Sequence, residues 1–279
     1  MSPLCHFADD VEFTKLIGFQ RAVSTTQAAL EIARDARPGL DFQTTMLQIA
    51  AIADDVRSEI VQLRNDVDSL AALCSVMSGT YGFGGASNSF DSADSSYLDR
   101  VIETRRGIPI SLSLIYVAVA EQLGLPLSGV AAPAHFLCRF ESDDGPLFVD
   151  AFNGGRIMTE AECTAWLSSI SGIAEADLQP TLQPATPRTI ILRMLNNLKT
   201  LHLRKNNWSN ADRVLRRLLA LRPSSFVDRR DLASVSMMLG RPGRVVDLFR
   251  GKLSQFLPEE RSSVEELLVS ARRMLAACN

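Results

Sequence analysis

Of the three histidines in this 279-residue chain, one is placed for acid–base chemistry. His135 opens the apolar run to Phe140, and a second run, Leu147 to Phe152, follows after Glu-Ser-Asp-Asp-Gly-Pro, a composition that turns hairpins. A hairpin centred on Ser142–Asp143 pairs Phe136 with Val149 and Leu137 with Phe148, so His135 faces Asp150. Opposed residues on a sheet have Cβ atoms about 4.5–5.5 Å apart, close enough for an imidazole–carboxylate hydrogen bond. A carboxylate holding one ring nitrogen fixes the tautomer and frees the other nitrogen as a general base. The plainer reading of the same two residues is a satisfied structural pair. His6 falls in the N-terminal tail and His202 within a helix of the C-terminal part.

A base needs a nucleophile or a bound substrate to act on. Unpaired N–H groups and the helix dipole at a helix N-terminus stabilise a thiolate or an oxyanion. The start of the apolar segment 109–123 is such a place, and it carries Pro109, Ile110 and Ser111. Ser111 is the one nucleophile-capable side chain of that first turn, although a serine there also serves as a cap. Cys138 lies three residues from His135, so strand alternation turns it to the other face. Cys74 and Cys163 have no motif around them, and the five cysteines show no C-x-x-C spacing. An odd count without a metal-ligand pattern points to thiols in a reducing compartment, with no metal site and no cofactor expected.

These residues must be positioned by helices on either side of a small sheet. Residues 9–78 carry apolar positions at helical spacing, interrupted at Pro38-Gly39, with Asp41 as an N-cap. The Gly- and Ser-rich stretch 79–96 reads as a long loop without regular structure. From Ile110 to Leu123 nearly every position is apolar or small, which marks a buried central helix, entered at Pro109 and stopped by Gly124 and Pro126. Thr159 and Glu162 form a capping box for a helix to about Ser169. Residues 179–187 contain three prolines and read as a linker. Helices follow over 190–205, 210–221, 226–239, 245–256 and 264–277. The recurrence of Leu221-Arg-Pro223 as Phe256-Leu-Pro258 suggests a period near ~34 residues, the tetratricopeptide unit. The domain reading is therefore 1–178, a linker at 179–187, and a helical domain at 188–279.

Composition is ordinary for a globular protein, 46% hydrophobic and 22% charged, which excludes a disordered or collagenous chain. No run approaches ~18 apolar residues and no signal peptide is visible, so no membrane association is expected and a cytoplasmic location is. The net charge of −3 conceals two opposed parts: residues 1–187 carry −13 and residues 188–279 carry +10. The basic part could meet nucleic-acid phosphates, but its few aromatic residues argue against base stacking. Arg213, Arg216 and Arg217 share a helical face and are expected to be solvated. The favoured partner of 188–279 is a protein or peptide.

The segment RRGIPISLSLIYVAVAEQLGLPLSGVAAPAHFLCRF, followed by VDAFNGGRIMTEAEC, resembles the SirB/YchA-like bacterial family of the transglutaminase-like superfamily, over about residues 80–279. The resemblance implies an α+β, mainly helical fold: N-terminal helices, a papain-like core with a small antiparallel sheet, and a tetratricopeptide-like tail. It also implies that His135 and Asp150 match the superfamily's His and Asp, while Pro109 stands where the superfamily has its nucleophilic Cys. Ala134 replaces a usual Gly and Ala151 a usual Pro, and both are expected to loosen the local backbone. The expectation is a vestigial, non-catalytic module that binds protein through its cleft and its tail. Arg105, Arg106, Pro109 and Asn153 are the expected cleft residues. The alternative is an acyl transferase or amidase of Ser or Cys type, with Ser111 attacking, His135 as base and Asp150 orienting.

Overall fold

The computed structural model describes residues 7–61, 63 and 65–277; Cys5, His6 and Cys278 lie outside the described residues. The chain divides into two compact units, one of Phe7–Met194 and one that begins at Leu195.

The first unit opens with α1 (Val11–Ile17), α2 (Thr25–Ala36), α3 (Phe42–Ile60) and α4 (Asp66–Cys74). Side-chain caps set where three of these begin: Ser24 accepts from Gln27 N, Asp41 from Gln43 N and Thr44 N, and Asn65 from Asp68 N. Such caps satisfy N–H groups that the first helical turn leaves without partners. After α5 (Leu98–Thr104) comes α6 (Pro109–Leu123), the central helix. Pro109 occupies its first turn and Gly124 ends it at φ +71°. Ile110, Leu112, Leu114, Ile115, Ala118 and Val119 are all buried, as the continuous apolar run requires. Helices α2, α3 and α5 pack around it, together with the sheet.

The stretch 79–96 holds more structure than its composition implies. A π-helical turn, Ser75–Thr80, prolongs α4, and 3-10 turns cover Ser89–Asp91 and Ala93–Ser96. Backbone bonds tie the stretch down, with Gly84 N donating to Arg105 O at 3.1 Å and Gly85 N to Phe152 O at 2.8 Å. A Cβ on Gly85 would lie 2.2 Å from the Phe152 ring, so only glycine allows this approach.

Four antiparallel strands form one sheet in the order β1 (Leu127–Val130), β2 (Leu137–Phe140), β3 (Leu147–Asp150), β4 (Arg156–Thr159). The register between β2 and β3 pairs Cys138 with Val149 and Arg139 with Phe148. That is two residues from the expected pairing, because the turn is centred on Asp143–Asp144: Gly145 N donates to Ser142 O at 3.1 Å. His135 therefore precedes β2 instead of opening it. Since side chains alternate with period two, the shift keeps every residue on its expected face.

Thr159 and Glu162 cap α7 (Glu160–Ser171) reciprocally, and α8 (Glu175–Leu178) follows. The Pro-rich stretch is packed against the first unit: it forms a 3-10 turn, Gln179–Leu182, and Leu182 is buried in one cluster with Val130, Leu137 and Phe148. Ala185 N donates to Gly129 O at 2.8 Å. Helix α9 (Pro187–Arg204) then carries the chain across the unit boundary, which falls between Met194 and Leu195 and not at 179–187. Arg188 and Arg193 thus belong to the first unit.

The second unit continues through α10 (Trp208–Leu221), α11 (Phe226–Met238), α12 (Pro242–Phe249) and α13 (Pro258–Ala277). Ala233, Val245, Phe249, Val264, Leu268 and Ala271 share a core cluster. The basic face read on α10 is not solvated as a whole. Arg213 is exposed, Arg216 is half-buried beside Asp212, and Arg217 is buried. The sequence pattern had placed the three on one face because spacing alone cannot tell which flank of a helix meets a neighbour. No helix among the described residues is long and apolar enough to cross a membrane.

Candidate functional site

The imidazole of His135 meets the carboxylate of Asp150, with Nε2 2.9 Å from Oδ1, and both residues are buried. Three further donors converge on the same carboxylate. Phe152 N and Asn153 N lie 3.1 and 3.2 Å from Oδ1, and Asn153 Nδ2 donates to Oδ2 at 2.6 Å. An acceptor serving four donors is the ionised form, so His135 donates from Nε2. Burial pushes the Asp150 carboxyl up, but the hydrogen bond and attraction from His135, joined by Asn153, outweigh it and hold the carboxyl below its ordinary value.

Aromatic rings frame the imidazole. Trp166 from α7 stands edge-on at 5.0 Å between centroids, and Phe152 edge-on at 6.2 Å. Phe90 continues the row, 6.1 Å from Phe152. The backbone of His135 is held from α9: Arg193 donates from Nη1 to Ala132 O and from Nη2 to His135 O, each at 2.7 Å. Between those two carbonyls Ala134 adopts φ +60°. The resemblance had led us to expect looser backbone at this position, but alanine in the left-handed region is under strain that glycine would not feel.

Pro109 and Ser111 stand together at the start of α6, and Ser111 is spoken for. Its hydroxyl donates to Ser95 O at 2.5 Å, lies 3.0 Å from Ile108 O, and accepts from Ile108 N at 3.1 Å. None of these bonds involves His135. The hydroxyl closes the first turn of α6 and joins it to the 3-10 turn at Ala93–Ser96.

The two arginines form a separate group with the Gly-rich stretch. Arg105 takes φ +61° at the end of α5, and its guanidinium lies over the rings of Tyr81 and Phe83 at 5.0 and 4.8 Å. Arg106 Nη1 donates to Gly82 O at 3.1 Å. Both arginines anchor this segment. Of the expected cleft residues, Asn153 alone bonds the His135–Asp150 pair.

The three described cysteines are buried. Burial pushes the Cys74 and Cys163 thiols up to about 12, and Cys138 higher still. Among the described residues no group of three or more His, Cys, Asp or Glu side chains is arranged to hold a metal ion. Trp166, Phe152 and Arg193 were not read from the sequence as site residues. Trp166 carried one signal, as one of two tryptophans in the chain and placed nearly two turns into the helix opened by the Thr159 capping box.

A central helix, a following antiparallel sheet and a His–Asp pair at one end of its two central strands define a transglutaminase-like core. A family model described as the transglutaminase-like superfamily matches residues 43–196. The chain is 36% identical to a UPF0162 protein of Xylella fastidiosa (strain 9a5c) over 226 residues, 80% of each chain. It is 26% identical to a UPF0162 protein of Vibrio cholerae over 220 residues, 78% of this chain and 81% of that one. Protein SirB1 of Salmonella typhimurium is 29% identical over 196 residues, 69% of this chain and 72% of that one. The chain belongs to the SirB/YchA-like family of the transglutaminase-like superfamily. No solved structure matches it.

Proposed function

We propose that this protein is a transglutaminase-like module without acyl-transfer chemistry, which works by binding another protein, with partner contacts in the helical region 188–279. The observation that carries this reading is the start of α6. Pro109 offers neither a nucleophile nor an N–H, and the Ser111 hydroxyl is engaged by Ser95 O and Ile108 N. The described thiols are buried and hard to ionise, which sets Cys74, Cys138 and Cys163 aside as nucleophiles. In this reading His135 and Asp150 fasten β3 to the segment before β2. Helices α10 and α12 begin at Trp208 and Pro242, which supports a ~34-residue tetratricopeptide-like repeat and the protein-binding surfaces such repeats offer. Buried free thiols favour a cytoplasmic setting.

One observation favours the alternative. His135 has the carboxylate-fixed tautomer of a general base, which would serve a serine acyl transferase if Ser111 turned away from Ser95. The full chain is to be incubated with glutaminyl peptides and a fluorescent primary amine, and separately with an activated ester. No turnover above that of His135→Ala is expected. Turnover abolished by both His135→Ala and Ser111→Ala, in variants whose circular dichroism is unchanged, would replace the binding reading with the enzymatic one.

A further inference from the structure

Charge is unevenly matched where α10 meets α12. Asp212 is buried, and three guanidinium groups converge on it: Arg244 Nη1 lies 2.8 Å from Oδ1, Arg216 Nε 2.8 Å from Oδ2, and Arg241 Nη1 3.8 Å from Oδ2. Elsewhere in the same unit the matching is closer. Asp228 and Asp231 together meet Lys199, Arg222 and Arg230, two carboxylates for three cations. A single carboxylate would tie α10 to α12 with one arginine. The second and third are held within reach of one another at a Coulombic cost.

The electrostatics of Arg244 register that cost. Burial lowers its proton affinity, Arg216 and Arg241 lower it further, and Asp212 is the opposing charge. The cationic groups are nonetheless presented outward: the Arg241 side chain is 53% exposed, that of Arg216 33% and that of Arg244 24%. Gly240 turns the chain at φ +67° so that Arg241 stands just ahead of α12, where the positive end of the helix dipole adds to the field. Guanidinium groups held against a buried anchor, as Arg216 and Arg244 are at 2.8 Å, lose little freedom on binding, and the freer Arg241 fork can match a carboxylate with two bonds. The surface around them lacks exposed aromatic rings: Trp208 and Phe226 are half-buried and Phe249 and Phe256 buried, so there is no platform for nucleobases.

We propose that Arg216, Arg241 and Arg244 form the docking point for an acidic segment of a partner protein, one that places at least two carboxylates close together to neutralise the excess charge around Asp212. This inference rests on the reading that 188–279 binds protein, and it names the chemistry of the partner.

The test uses the full chain and a fluorescently labelled, C-terminally amidated hexaglutamate peptide, followed by anisotropy at low salt. Arg241→Glu is the main variant, because that side chain is exposed and tolerates replacement. Arg272→Glu, on the exposed face of α13, is the control of equal charge change. Arg241→Glu is expected to weaken peptide binding by about tenfold or more, and Arg272→Glu by less than about twofold. Equal losses in the two variants would show general attraction to a basic surface and overturn the site. So would absence of peptide binding to the unaltered chain. Tighter binding of an oligothymidylate, lost in Arg241→Glu, would reassign the cluster to nucleic acid. If a partner protein is still bound by the Arg241→Glu chain with unaltered affinity, the site fails while the protein-binding reading stands.

Discussion

Arg193 donates to the carbonyl oxygen of His135 at 2.7 Å, and the same guanidinium reaches the carbonyl of Ala132 at 2.7 Å. One planar fork thus spans a four-residue turn and fixes where the imidazole begins. The Phe136 ring lies 5.8 Å from the guanidinium carbon. Arg193→Ala leaves two carbonyls without their charged donor and is expected to lower the unfolding free energy by about 2–4 kcal/mol, read from urea denaturation. Arg193→Lys keeps the charge and loses the fork, so it should recover less than half of that loss. Nitrogen chemical shifts of the His135 ring should move in both variants.

Ala134 sits between those two carbonyls at φ +60° with its methyl group exposed. Replacement by glycine relieves left-handed strain of about 1–2 kcal/mol and gives back about 0.5–1 kcal/mol through the greater freedom of the unfolded chain. Ala134→Gly should therefore raise stability by up to about 1.5 kcal/mol, seen as a higher denaturant midpoint at unchanged slope.

Asp150 links stability to pH. Its carboxyl is held below the ordinary value of 3.8, so the folded state binds the proton less readily than the unfolded chain does. The resulting stabilisation is fully present above pH 3.8 and is lost as the pH falls through the lower folded value. In Asp150→Asn the amide oxygen can still serve the donors on Oδ1, but its NH2 group meets the Asn153 Nδ2 donor in place of Oδ2 and the charge facing His135 is lost, at a cost near neutrality of about 2–4 kcal/mol. Denaturation midpoints measured down a pH series should show the gap between the two proteins narrowing below that value.

Cys74, Cys138 and Cys163 should resist thiol reagents in the native protein. Their thiols are buried, and burial raises their proton affinity well above that of an ordinary thiol. Iodoacetamide labelling at pH 8 followed by peptide mass mapping is expected to find these three modified only after denaturant is added.

The apolar run 110–123 announced α6 and its burial, and the Thr159–Glu162 box announced α7, because local pattern alone decides both. The meeting of His135 with Asp150 was legible for a subtler reason. The turn lies one residue later than Ser142–Asp143, which moves the pairing by two, and a two-residue shift keeps both side chains on one face. They now meet on a diagonal and not head-on. Strands β1 and β4 are no shorter than β2 and β3, but Ser128-Gly129 interrupts the one and Arg156 and Thr159 bracket the other, so neither presents an apolar run beside a hairpin turn. Arg193 and Trp166 reach His135 from helices further along the chain, and no spacing rule connects them. Arg217 looked like a surface residue because charge is a guide to exposure only until a neighbouring helix covers it.

The Gly- and Ser-rich stretch 79–96 reads as eighteen residues of slack. Gly84 and Gly85 are pinned to Arg105 and Phe152, and Ser95 O accepts from both Ile108 N and the Ser111 hydroxyl. As a polymer, the span between these pins is the nine residues 86–94, about half the nominal length, and it carries the 3-10 turn Ser89–Asp91 within it. Halving a loop lowers the entropy cost of closing it by about 0.6 kcal/mol. Extra residues should thus be tolerated between the pins and resisted beyond them.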